Sequence, residues 1–176
     1  YGSLSFWTDI NKRPLSFFTF ALNYQAHRYD TFGYHMVNFL IHILGAIIAY
    51  FLARLIFRRM DNDPDWNFKS IHLKSLFVAL LFLLHPIQTM GVTYVVQRMT
   101  SMAAMFYLLA VFLYLKGRIL YSEDKEKNRS LSVWFIAGGI VTGILAVLSK
   151  QNAVTFPLAF LFADLFFVRN KEGVPY

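Results

Sequence analysis

From Met36 to Phe57 the chain runs for 22 residues, and only Asn38, His42 and Arg54 break its apolar character. At about 1.5 Å per residue, a helix of that length crosses a hydrocarbon core of about 30 Å. A backbone in such a core must satisfy its own hydrogen bonds, so the run is read as a transmembrane helix. Four further apolar segments follow: Ile71 to His85, Thr100 to Leu115, Leu131 to Leu148, and Ala153 to Val168. The first of these is short and stops at Pro86. The Leu131–Leu148 segment carries Gly138, Gly139 and Gly143, small residues that let helices approach closely. The expected fold is an all-α membrane protein, a polytopic helix bundle of about five transmembrane segments.

Composition supports that class and removes others. Of 176 residues, 57% are hydrophobic and 15% are charged, whereas ordinary soluble domains carry about 25% charged residues. A soluble enzyme and a disordered region are both excluded. Cysteine is absent, which removes disulfides and thiolate metal sites. No metal-ligand spacing, phosphate loop or Ser-His-Asp set is present, so no metal and no cofactor are visible in the sequence.

The placement of charge gives an orientation. Two polar loops, 58–69 and 116–129, with Arg54 and Lys74 flanking the first, and the tail after Val168 collect 12 of the 17 basic residues. The opposite ends of the segments keep Lys12, Arg13, Arg28, Arg98 and Lys150. The excess of basic residues in cytoplasmic loops puts the first set inside. This accounts for the net charge of +7 without nucleic acid. Before the first span, Pro14 to Tyr24 is apolar and aromatic but has only 11 residues. It is read as a helix lying in the outer interface. The expected organisation is an extracytoplasmic loop with that helix at 1–35, a transmembrane bundle at 36–168, and a cytoplasmic tail at 169–176 leading to a further C-terminal region.

The outward end then gathers the residues that carry chemistry. Arg13, Arg98 and Lys150 are cations with amides beside them, Gln97 next to Arg98 and Gln151 next to Lys150. Such a set without paired carboxylates suits an anion, most simply a phosphate. His35, His85 and Gln88 are expected to line the same pocket. Asp9 alone makes no catalytic dyad. His35, Asn38 and His42 form one stripe on the first span, read either as interhelical hydrogen bonding or as a proton relay or ligand contact. Asp164 is read as a structural partner for Arg169 or for a neighbouring span.

Several blocks also resemble a known pattern: Arg13-Pro14-Leu15, Phe20 to Tyr24, Gly33 to Asn38 with Ile41-His42, His85 to Thr89 with Gln97-Arg98, and Ser149 to Thr155 with Pro157. Together they resemble membrane proteins that carry transmembrane spans followed by tetratricopeptide repeats. The animal members are O-mannosyltransferases, and the chain looks closer to a bacterial branch. The resemblance implies a GT-C type glycosyltransferase core in a membrane such as the bacterial inner membrane. Its site would face the extracytoplasmic side. Its partners would be a polyprenyl-phosphate sugar donor, an exported protein acceptor and membrane lipids, with Arg13, Arg98 and Lys150 on the donor phosphate. The family's acidic catalytic motif follows a first transmembrane helix, is not matched here, and is expected upstream of Tyr1. Gln151 stands where the family often has Glu, and Met90 where an acidic residue often follows Thr89. The alternatives are a non-catalytic subunit that scaffolds a larger membrane complex, and a transporter or lipid-binding protein using the histidine stripe.

Overall fold

The computed structural model describes residues 13–60 and 68–169, all helix, short turn or connecting backbone. Asp9 and Lys12, most of the first polar loop and the tail beyond Arg169 lie outside the described residues. Seven α-helices follow in order: α1 (Pro14–His27), α2 (Thr31–Met60), α3 (Phe68–Leu84), α4 (Thr89–Thr93), α5 (Arg98–Glu123), α6 (Arg129–Ser149) and α7 (Phe156–Phe167). Short 3₁₀ turns, Pro86–Gln88, Val95–Gln97 and Gln151–Thr155, join them at one end of the bundle.

Three of these helices, α2, α5 with its leading turn, and α6, are long and apolar enough to cross a membrane. The pair Lys69–Leu84 and Pro86–Thr93, bent by 47° at Pro86, is long and apolar enough only when taken together, which puts the crossings at three to four. The bend has a local cause, because proline cannot donate to the preceding turn and its ring crowds it. Gln151–Phe167 is a shorter apolar helix. The protein is therefore an integral membrane helix bundle. Leu73, Phe77, Leu81 and Leu84 on α3 face outward and are more than half exposed, as suits a helix bordered by lipid.

Helix directions follow from which ends meet. Arg98, the first residue of α5, bonds Asn38 near the start of α2. Leu52, Leu55 and Ile56, late in α2, pack on Leu115 and Ile119, late in α5. These two helices run parallel, and the short polar connections return α3 and α6 between them. One end of the bundle thus holds α1, residues 85–98 and residues 149–155. The other holds the ends of α2, α5 and α7.

The α5–α6 contact is the tightest and shows why the glycines are there. A Cβ on Gly139 would stand 3.0 Å from the Ala110 carbonyl oxygen of α5, while Gly143 admits α7 instead, where a Cβ would meet the Phe156 ring at 2.6 Å. The core lies in two clusters. Ala103, Ala146, Val147 and Ala153 pack near the α1 end, and Leu115, Ile119, Ala163 and Val168 near the other. There, Asp164 accepts from Arg118 at 2.6 and 3.3 Å and lies 3.4 Å from Arg169. It joins the neighbouring span as well as the end of its own, the structural role expected of it.

Helix α1 lies across the bundle end. Ser16 Oγ donates to the Ser149 carbonyl at the end of α6 at 2.9 Å. One turn on, the Thr19 hydroxyl reaches Met102 of α5. Phe20 then stacks on Tyr34 of α2, centroids 6.5 Å apart. Its 14 residues meet three helix ends in succession, which a helix running alongside a single span would not do.

Candidate functional site

At this end an arginine sits in a place that needs explanation. Arg98 is fully buried. Its Nε donates to Asn38 Oδ1 at 2.8 Å and its Nη2 to Asn23 Oδ1 at 2.7 Å. The same Nη2 reaches the Tyr34 carbonyl at 3.1 Å, and Nη1 reaches the Thr19 carbonyl at 3.3 Å. The Phe20 ring covers the guanidinium at 4.6 Å and Tyr34 at 5.5 Å. A planar fork with five donors suits this arrangement, where an ammonium would serve only part of it. Among the described residues no carboxylate takes part. The charge is spread over amide and carbonyl dipoles and two ring faces, and it ties α1, α2 and α5 together. Expected beside a donor phosphate, Arg98 is instead turned inward and enclosed, because the two buried asparagines need donors and its guanidinium supplies them.

Arg13 and Lys150 flank the same helix start. Arg13 Nη1 lies 3.3 Å from Met99 Sδ, and Lys150 Nζ donates to Thr100 Oγ1 at 2.7 Å. Positions 98, 99 and 100 point about 100° apart around a helix, so the three cations ring the first turn of α5. That turn is the positive end of the helix dipole. The Nε of Arg13 is buried and without a hydrogen-bond partner, and Arg13 itself holds a left-handed backbone at φ 47°. Among the described residues at this end the one carboxylate is Asp30, which caps the Phe32 amide at 3.0 Å.

Two adjoining cavities open beside this ring. The more polar of the two, a chamber of about 180 Å³, is lined by His42, Gln88, Gln97 and Ser101 together with the apolar Ile41, Ile87 and Met90. A more apolar groove of about 360 Å³ is lined by Ala103, Tyr107, Leu108 and Ala153, with Lys150 and Asn152 at its polar edge. Phe82, Thr100 and Ala104 belong to both. The Lys150 ammonium, bonded to Thr100, therefore stands at the junction. The arrangement can hold an anionic group at Lys150, a polar moiety in the chamber and an apolar chain along the groove.

The remaining expected residues divide. Gln88 and Gln97 line the chamber, whereas His35 and His85 line neither cavity. His85 caps its own turn, its Nδ1 accepting from the Ile87 amide at 3.2 Å. His35 Nδ1 lies 3.4 Å from the Val92 carbonyl oxygen. Gln151 begins the turn after Lys150 and is half-buried. In the stripe, Asn38 bonds Arg98, and His42 Nε2 lies 3.0 Å from the Leu83 carbonyl oxygen. That is the interhelical hydrogen bonding expected of it. Among the described residues, no group of three or more His, Cys, Asp or Glu stands together as metal ligands would.

Sequence reasoning missed Asn23, Thr100 and Phe82. For Asn23 a signal existed: an amide in the aromatic helix FTFALNY must find a partner if buried. Thr100 and Phe82 carry no such signal, since their role comes from the meeting of α3 with α5.

Comparison with known proteins adds a further observation. The chain is similar to animal protein O-mannosyl-transferases. It is 30% identical to Protein O-mannosyl-transferase F38B6.6 of Caenorhabditis elegans over 148 residues, 84% of this chain and 18% of that protein. It is 29% identical to human TMTC4 over 147 residues, 81% of this chain and 19% of the relative. It is 26% identical to Drosophila melanogaster Tmtc3 over 166 residues, 90% and 18% respectively. The chain spans less than a fifth of the length of these curated relatives. All three are animal proteins, so they lend no support to a closer tie with a bacterial branch. No protein-family model matches the chain, and no solved structure matches it.

Proposed function

We propose that this chain is the central transmembrane part of a GT-C-like protein glycosyltransferase. It takes a sugar from a polyprenyl-phosphate carrier and passes it to a hydroxyl of an exported protein on the extracytoplasmic side. The observation that carries the proposal is Lys150 at the junction of a polar chamber and an apolar groove. A lipid-linked sugar phosphate has those three parts in that order. Similarity to relatives named protein O-mannosyl-transferases supports the same reading.

In this reading Lys150 holds the donor phosphate as a point charge, and Arg13, with its unpartnered Nε, adds a second cation from α1. Gln88 and Gln97 present hydrogen-bonding groups to the sugar. Arg98 holds α1 against α2 and α5 and so keeps Arg13 at the site without touching the donor. Deprotonation of the acceptor hydroxyl needs a general base. That base is a carboxylate from outside the described residues.

The test uses the full-length protein and follows glycan transfer alongside abundance. Lys150→Ala should reduce transfer at least tenfold with abundance unchanged, and Lys150→Arg should restore part of it. Wild-type transfer by Lys150→Ala would overturn the donor site. The chain would then be better read as a non-catalytic subunit that scaffolds a membrane complex.

A further inference from the structure

The opposite end of the bundle carries a second basic cleft that the proposed donor site does not use. It lies between the parallel helices α2 and α5, has a volume of about 230 Å³, and is lined by Arg58, Arg59, Lys116 and Glu123 above a floor of Leu55, Ile119 and Leu120. Two of the cations are fixed in place without being neutralised. Arg59 Nε donates to the Phe167 carbonyl at the end of α7 at 3.1 Å. The Lys116 ammonium stands 4.5 Å from the centre of the Phe135 ring on α6. Neither has a carboxylate within ion-pair distance among the described residues. The buried acid at this end, Asp164, is already held by Arg118 and Arg169.

Ordinary helix-end electrostatics explain only part of this. Arg58 and Arg59 lie in the last turn of α2, where cations favour the helix dipole. Lys116 lies two turns before the end of α5, beyond the reach of that effect. Its position brings a third positive charge to the same cleft from another helix. We infer that this cleft binds the headgroup of an anionic phospholipid, with the phosphate between Lys116 and Arg59 and the acyl chains leaving over Leu55, Ile119 and Leu120. Arg59 and Lys116, neither of them with a carboxylate partner among the described residues, give the complementary charge. The apolar floor lies between two membrane-crossing helices. Basic pockets between transmembrane helices take acidic headgroups for the same reasons.

The proposal is tested on the full-length protein in a mild detergent. Binding of phosphatidylglycerol and of phosphatidylcholine is compared by native mass spectrometry and by the shift in melting temperature. Phosphatidylglycerol should be retained and should raise the melting temperature, and phosphatidylcholine should do neither. R59Q/K116Q should weaken phosphatidylglycerol binding about thirtyfold. Should that variant not accumulate, Lys116→Gln alone should weaken it about fivefold. Lys125→Gln, an exposed cation at the same end, should leave binding unchanged. Equal loss in Lys125→Gln would show a diffuse surface field and overturn the site. So would equal retention of both lipids, or equal stabilisation by glycerol 3-phosphate. A lipid response that emerges only after Asp61, Asp63 and Asp65 are changed to Asn would also overturn it, because the loop carboxylates would then be the occupant. Glycan transfer is read in parallel, so that loss of lipid binding and loss of the donor site are told apart.

Discussion

Arg98 Nε lies 2.8 Å from Oδ1 of Asn38, an amide 60 residues earlier in the chain, and both side chains are fully buried. Neither residue is acceptable alone in an apolar bundle. Together with Asn23, each supplies what another lacks, and the result joins α1, α2 and α5 at the end where the two cavities open. A charge removed from water is costly unless its donors are satisfied, and here the guanidinium reaches two amides and two carbonyls. Here it fixes the register of α1 across the bundle end.

The first prediction concerns that node. Arg98→Ala leaves the Oδ1 atoms of Asn23 and Asn38 without their donor, at about 1–3 kcal/mol for each unsatisfied group. Thermal unfolding in detergent should show a clear loss, with α1 more open to protease. Arg98→Lys should recover only part of it, because an ammonium cannot reach two amides and two carbonyls from one plane. A fully stable Arg98→Ala would contradict the role assigned to it.

Asp164 provides the second. It is 6% exposed and faces two guanidinium groups. Asp164→Asn keeps the shape but removes the negative charge that Arg118 and Arg169 face, and removing one member of a buried pair costs about 3–5 kcal/mol. The exposed Arg169 can turn to water, which places the effect near the lower figure. Melting temperature and cell abundance should both fall, and Arg169→Gln should have little effect by comparison.

The long apolar runs made the helix bundle legible from the sequence. A 22-residue stretch near Met36 leaves few alternatives once charge is so scarce. The short apolar segment ending at His85-Pro86 was legible as far as its stop, and the structure supplies the bend beyond it. The basic residues at the α1 end were also readable, but their directions were not. Whether an arginine points to a ligand or into the bundle depends on acceptors from distant segments, here Asn23 and Asn38. No local pattern around Gln97-Arg98 records those partners. Lys150 differs because Thr100 takes only one of its three donors.

The third prediction is topological, and the absence of cysteine makes it clean. Thr31 opens α2 at the α1 end, and Asn128 precedes α6 at the other. Cys introduced at Thr31 should react with an impermeant thiol reagent applied from the extracytoplasmic side. Cys at Asn128 should react only after the membrane is permeabilised. Reaction of both from one side would break the assignment of ends, and the reversed pattern would place the donor site in the cytoplasm.

The fourth prediction separates the position of Lys150 from its charge. Among the described residues its ammonium has one hydrogen-bond partner, the Thr100 hydroxyl at 2.7 Å, on the wall common to both cavities. Thr100→Val keeps the branched shape and removes the acceptor. The charge remains, but the side chain is free to leave the junction. A hydrogen bond to a charged group contributes about 1.5–3 kcal/mol, so glycan transfer by the full-length protein should fall about tenfold or more. The fall should be smaller than in Lys150→Ala, and abundance should be unchanged, because Thr100 is only half-buried and the substitution leaves no cavity. Combining the two changes tests whether they act through one group. If Thr100 serves only to place Lys150, T100V/K150A should transfer no less than Lys150→Ala alone. Multiplied losses in the double variant would instead give Thr100 its own contact with the donor.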